Sequence, residues 1–250
     1  MKLFRRILLT ILIALLVAVG GFVAWADTPA RPSPEALAAM KTTAEAKVST
    51  DEAGRLVFEP VTTATGVGFI LYPGARIDPR AYAPVARSIA EQGSVVIIVP
   101  MVLHLAVLSP GRAQEVMGAY PDIQTWAVGG HSLGGAMAAR FVHEHPGTVT
   151  GLVLWAAYPG SSDDLSQSPV RVLSVSAARD GLATPEKIAA TRLLLPSGTT
   201  WVTIQGGNHA QFGSYGTQAG DHTATISPAE QWRLTAQATA RFLARLAPQS

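Results

Sequence analysis

The chain has 250 residues, enough for a leader and one sizeable domain. It contains no cysteine, which excludes a disulfide framework and a thiolate metal site. The sequence pI of about 9.1 overstates its basicity: of 19 Lys and Arg, Lys2, Arg5 and Arg6 lie in the leader, leaving 16 against 17 Asp and Glu. The body is therefore near neutral and carries no electrostatic footprint for nucleic acid.

Ile7 to Ala26 is a run of 20 residues without a charge, preceded by that basic cluster. It reads either as a signal peptide, cut after the A-x-A site Ala24-Trp25-Ala26, or as an uncleaved membrane anchor. The anchor is the favoured reading. The run is longer than a usual signal core, and Trp25 suits a membrane interface. Both readings put the body outside the cytoplasm, because the Lys/Arg cluster stays inside.

Thr28 to Pro34 is a Pro-rich linker, and Glu35 to Lys47 is Ala-rich with a helical pattern. Residues 56–250 then read as one domain, with 27–55 leading into it. Leu56 to Pro60 reads as a short strand and Val67 to Tyr72 as an apolar one. Pro79 to Glu91 reads as a helix with Pro in its first turn. Val95 to Val99 is an unbroken Val/Ile run, the mark of a strand buried on both faces. A helix over Pro110 to Tyr120 precedes a strand over Thr125 to Gly129 and a helix over Leu133 to His145. Strands follow at Val149 to Ala156, Val170 to Ser176 and Thr200 to Gln205. Helices are expected over Pro185 to Leu195 and Pro228 to Leu246. Such alternation argues for a mainly parallel sheet covered by helices on both faces. The connection from Tyr158 to Pro169 is about a dozen residues, so the fold has little or no lid.

The most informative stretch is Gly130-His131-Ser132-Leu133-Gly134, a G-x-S-x-G match between a strand and a helix. A serine hydroxyl is a poor nucleophile unless it is held out toward a base and a substrate. A sharp strand-to-helix turn does this at the cost of a strained serine. The flanking glycines remove side chains where the turn pinches. The amide of Leu133, at the start of the helix, then faces a developing oxyanion.

A serine nucleophile needs a base, and the base needs an orienting carboxylate. Both should lie beyond the carboxyl ends of strands. Of six histidines, His209 follows the last strand in Gln205-Gly206-Gly207-Asn208-His209, and His222, beside Asp221, is the runner-up. His131 sits inside the elbow, with its side chain directed away from its neighbour's. His143 and His145 read as surface or capping residues, and His104 precedes the elbow. Asp180, in Arg179-Asp180-Gly181, follows the strand before the last one and gives the chain order Ser132, Asp180, His209 expected for this arrangement. Asp163 and Asp164 are the alternative carboxylates. The second oxyanion donor is expected in Tyr72-Pro73-Gly74-Ala75, as the amide of Ala75.

These segments, together with Gly206-Gly207-Asn208-His209-Ala210-Gln211-Phe212-Gly213, resemble the α/β-hydrolase superfamily over roughly residues 56–247. The chain looks in particular like the small, lid-poor bacterial group called α/β-hydrolase fold-5, related to dienelactone hydrolases. It departs from dienelactone hydrolases proper in carrying Ser132 where they carry cysteine. The resemblance implies a Ser-His-Asp hydrolase with no metal or organic cofactor.

The expectation is a serine hydrolase with a small-molecule ester substrate and a membrane contact through the leader. The alternative is a non-catalytic α/β-hydrolase fold used for binding or as an envelope component. A hydrolase of amide or carbon–halogen bonds is a third reading. Ser132 counts against the carbon–halogen version, because dehalogenases of this fold use an aspartate at the elbow.

Overall fold

A computed structural model of the chain describes residues 2–62 and 64–247. In chain order its elements are α1 (Lys2–Ala26), α2 (Pro34–Ala39), β1 (Ala46–Thr50), β2 (Leu56–Pro60), β3 (Val67–Tyr72), α3 (Ala83–Ala90), β4 (Val95–Ile98) and α4 (Arg112–Ala119). There follow β5 (Thr125–His131), α5 (Leu133–Glu144), β6 (Gly151–Trp155), β7 (Arg171–Ala177), α6 (Pro185–Ala190), β8 (Thr200–Ile204) and α7 (Pro228–Ala244).

The eight strands form one sheet in the order β1-β2-β4-β3-β5-β6-β7-β8. β1, β2 and β4 pair antiparallel. From β4 across to β8 every pairing is parallel. The strand alternation sorts the core into two layers. Phe69 and Leu71 pack with α3 and α7 through Val85, Ile89, Ala236 and Leu243. Ile70 and Tyr72 pack on the other face with α4 and α5 through Val116, Ala138 and Phe141. All the parallel strands point their carboxyl ends to one edge. The loops leaving that edge carry every residue singled out above for chemistry.

Two expectations are corrected. The helix read over Glu35 to Lys47 is confined to Pro34–Ala39, and Ala46–Thr50 is instead a strand on β2. The cause lies at Thr42 and Thr43. The Thr43 hydroxyl accepts from the Ala46 amide at 3.0 Å and the Thr42 hydroxyl from the Val48 amide at 3.0 Å. These bonds offer the backbone a turn in place of the helix. The helix expected from Pro79 to Glu91 opens with a tight 3₁₀ turn over Pro79–Tyr82 before α3 proper, and its cap is the Asp78 carboxylate.

α1 holds a 23-residue apolar stretch, Phe4–Ala26, long enough to cross a membrane. Leu8, Ile13 and Phe22 on it are exposed. A signal sequence and a membrane anchor both fit such a helix.

The turn between β1 and β2 is held by one carboxylate. Asp51 Oδ1 accepts from the Ala53 and Arg55 amides at 3.0 and 2.9 Å. Its Oδ2 accepts from Arg55 Nε at 2.6 Å and from the Tyr120 hydroxyl at 2.9 Å. Burial alone would raise the Asp51 pKa, but the bonds from Arg55 and Tyr120 outweigh it and hold the carboxyl below its ordinary range. A depressed folded pKa adds stability above the unfolded pKa, and that stability is lost as pH falls through the folded value. Asp51→Asn should therefore cost about 1 kcal/mol at neutral pH, after allowance for solvent screening. The gap to the parent should close below the ordinary carboxylate range, as read by denaturant titration at neutral and acid pH.

Candidate active site

Ser132 sits between β5 and α5 with φ 52° and ψ −123°, a left-handed conformation that a side chain adopts only under constraint. Three contacts impose it. The Ser132 amide donates to the Trp155 carbonyl of β6 at 3.0 Å, and its own carbonyl accepts from the Ala136 amide at 3.1 Å. The third is steric. A side chain at Gly130 or Gly134 would run into the Tyr72 carbonyl at the end of β3. Glycine at both positions lets the turn tuck beneath the loop that follows β3.

Ser132, Leu133 and His209 line one cavity of about 310 Å³ with Ala136, Ala156, Ala157, Tyr158, Leu182 and Ala183. His209 and Asp180 are buried. His209 Nδ1 lies 2.8 Å from Asp180 Oδ2, and Asp180 Oδ1 accepts from the amides of Leu182 and Ala183 at 2.8 and 2.7 Å. A carboxylate oriented by two amides is an acceptor, so Nδ1 carries the proton and Nε2 is left as a base. Nε2 is buried without a hydrogen-bond partner, so the Ser132 hydroxyl and His209 are not bonded to each other here. Such bonds are often open before substrate arrives.

The other candidates fall apart from this group. His222 is exposed, and Asn208 Nδ2 donates to its carbonyl. Asp163 and Asp164 bond within their own loop, to Ser162 and to the Ser166 amide. His143 is exposed, and the ring of His145 stacks on Phe141 beneath the last turn of α5. Leu133 lines the Ser132 cavity. Ala75 does not; it lines a neighbouring cavity of about 480 Å³ with Trp25, Arg76 and Tyr215.

Four further residues shape the site. Asp221 joins its two loops: Oδ1 accepts from the Gly181 amide at 3.0 Å and Oδ2 from the Ala210 amide at 2.9 Å. Gln231 of α7, fully buried, takes the Asn208 amide on Oε1 at 3.0 Å and donates Nε2 to the Asn208 carbonyl at 2.7 Å. His209 is thus anchored from one side by a helix and from the other by a carboxylate. Tyr82 accepts from the Gly74 amide at 2.9 Å and lies 2.9 Å from His131 Nδ1. With its oxygen already accepting from the Gly74 amide, the Tyr82 hydroxyl is placed to donate to His131 Nδ1. The His131 ring lies 4.5 Å from that of His209, centroid to centroid. Burial, and then the charge His209 can carry, push the His131 pKa well below its ordinary value. His131 is therefore a neutral wall behind His209. Only the Asp221-His222 pair carried any signal in the sequence. Gln231, Tyr82 and the contact of His131 with His209 arise from tertiary packing.

A mainly parallel sheet with helices on both faces and a strained serine between β5 and α5 defines a hydrolase-type α/β fold. Comparisons agree. Residues 68–233, well over half of the chain, match the model of the alpha/beta hydrolase family, and the chain belongs to that family. A search of curated proteins found no match. Among solved structures, the chain is similar to the esterase domain of a Rhodothermus marinus protein, with TM-score 0.59 and 12% identity over 81% of this chain and 98% of that one. It is also similar to a predicted CIB-like hydrolase from Thermoplasma acidophilum, with TM-score 0.57 and 17% identity over 80% and 99% of the two chains. A thermophilic esterase from Thermogutta terrifontis aligns with TM-score 0.56 and 15% identity over 83% and 95%. At these identities the likeness is one of fold.

Asp221→Ala removes two charge-assisted bonds that hold the Asp180 and His209 loops together, a loss of about 1–3 kcal/mol. Hydrogen exchange should then speed at Gly181 and Ala210 and stay unchanged at Val128 and Leu154 in the sheet.

Proposed function

We propose that the chain is a serine hydrolase of carboxylic esters, with Ser132 as nucleophile, His209 as general base and Asp180 as the group that orients it. One observation carries this reading: the buried His209–Asp180 pair leaves a free Nε2 in the cavity that holds Ser132. His209 Nε2 takes the proton from Ser132 Oγ as Oγ adds to the ester carbonyl. The tetrahedral oxyanion is met by the Leu133 amide at the amino end of α5. His209 then passes its proton to the departing alcohol. Water, deprotonated by the same nitrogen, releases the acid and restores Ser132. Asp180 stabilises the imidazolium at each stage. His131 helps by staying neutral, because a second cation beside His209 would oppose its protonation.

Apart from Tyr158, the cavity walls are mostly short and apolar, built from Leu133, Ala136, Ala156, Ala157, Leu182 and Ala183. A cavity of about 310 Å³ with such walls suits a small acyl group. The esterase likenesses favour an ester over an amide. Propionate, the acid bound in one structure of the Thermogutta terrifontis esterase, is of the size these walls accept. No step of this mechanism calls for a metal or an organic cofactor. We further propose that α1 anchors the enzyme to the membrane, with the domain outside the cytoplasm.

Ser132→Ala should lower kcat/KM on short-chain esters by roughly four orders of magnitude or more, and Asp180→Asn by about three to four. A fluorophosphonate should label Ser132 alone in the folded parent and nothing in Ser132→Ala. Near-full activity in Ser132→Ala would remove the nucleophile assignment. A folded parent inert to the probe and to esters would point to the non-catalytic reading.

A further inference from the structure

We infer that the site-bearing edge of the domain lies against the bilayer that holds α1, with Val102, Val107 and Leu108 as a second membrane contact. The inference rests on the anchor reading of α1 and is independent of the chemistry at Ser132.

The tether is short. α1 ends at Ala26, and Ala30 is already bridged to Ile77, its amide donating to the Arg76 carbonyl at 2.7 Å and its carbonyl accepting from the Asp78 amide at 3.1 Å. Only Asp27, Thr28 and Pro29 intervene, a reach of about 14 Å at full extension. Arg76 shortens it further. Its guanidinium lies 4.2 Å from the Trp25 ring centroid, and Nη2 donates to the Thr28 carbonyl at 2.7 Å. Residues 73–78 leave the carboxyl end of β3, at the same edge as Ser132. An α1 seated in the membrane therefore brings this edge to the membrane surface.

The connection after β4 supplies the contact. Its first 3₁₀ turn, Val102–His104, packs beside α1, and the His104 carbonyl accepts from the Arg76 amide at 2.8 Å. This turn thus stands at the level of Trp25, where an aromatic ring marks the interface of a spanning helix. Outside α1, the large apolar side chains exposed among the described residues are Leu37, Val61, Val102, Val107, Leu108 and Leu193. Three of the six fall in this one connection, 43, 47 and 48% exposed. An apolar cluster continuous with the end of an apolar helix matches the headgroup–acyl boundary, where such side chains bury about 5–10 Å deep.

The chain has no cysteine, so single cysteines can report depth without background. Val102→Cys, Val107→Cys, Phe22→Cys within α1 and Leu193→Cys, 88% exposed on the return to the amino end of β8, would each carry an environment-sensitive fluorophore. The full-length protein would be reconstituted into phosphatidylcholine–phosphatidylglycerol vesicles with and without doxyl lipids. We expect labels at positions 102 and 107 to shift to the blue and lose several-fold in emission to doxyl lipids, as at position 22, with position 193 unchanged. Labels at 102 and 107 that behave like the one at 193, while position 22 is quenched, would overturn the membrane contact. An unquenched position 22, or a cell-derived protein whose mass lacks residues 1–26, would overturn the anchor on which it rests. Fluorophosphonate labelling is not part of the readout, so failure of the hydrolase assignment would be seen separately.

Discussion

The strained turn at Ser132 is the constraint around which the rest is arranged. A non-glycine residue at φ 52° costs about 1–3 kcal/mol and persists only where its surroundings over-determine it. Here they do so from three elements. β6 takes the serine amide through the Trp155 carbonyl, α5 starts at once, and the end of β3 occupies the space that side chains at Gly130 and Gly134 would need. The strain is thus offset by the parallel sheet itself. Strand order β3-β5-β6 is what sets the Tyr72 and Trp155 carbonyls on either side of the elbow.

Such a turn presents a hydroxyl but does not activate it, and activation depends on loops, which are the softer parts of a fold. The His209 loop is tied down at several places along a segment without regular structure. Gln231 satisfies both backbone groups of Asn208, Asp221 ties Ala210 to Gly181, and Asn208 Oδ1 caps the Gln211 amide at 3.1 Å. Beneath it lie the rings of His131 and Phe212, 5.6 Å apart and stacked. Asp180 is held as firmly by two amides. Asp221 ties the two loops to each other, which braces the 2.8 Å contact between His209 and Asp180.

Much of this was legible before any coordinates. The Val/Ile run at 95–99 and the apolar run at 125–128 announced buried parallel strands because nothing polar is tolerated on either face. The spacing of Gly130, Ser132 and Gly134 announced the elbow because the steric demand is local. The pairing of Asp180 with His209 followed from chain order and from strand ends. What escaped was set by distant partners. β1 was hidden by helix-forming alanines at positions 38, 39, 44 and 46, and only the pairing with β2 and the Thr42 and Thr43 hydroxyls decide against the helix. Asp221 and Gln231 act on backbone groups, and no side-chain pattern records which amide a carboxylate will meet. The separation of Ala75 from the cavity of Leu133 is likewise a matter of how one loop drapes over another.

The leader and the loop that follows β3 meet at Arg76, itself at φ 53°. This bears on either fate of α1. Removal of residues 1–26 would delete the Trp25 ring from beneath the guanidinium, yet Thr28, Ala30 and Ser33 would remain. The Thr28 carbonyl and hydroxyl accept from Arg76 Nη2 at 2.7 and 3.1 Å, and Ala30 keeps its bridge to Ile77. Further on, the Ser33 amide donates to the Ser214 carbonyl at 2.7 Å, and the Ser214 amide to the Ala81 carbonyl at 2.7 Å. The Pro-rich segment is therefore laced to the loop before α3 and to the stretch after His209, and its prolines at positions 29, 32 and 34 reduce the entropy lost in holding it there. It positions the Ala75 loop whether the helix before it is kept or cut, so residues 28–33 shape that loop independently of the fate of α1.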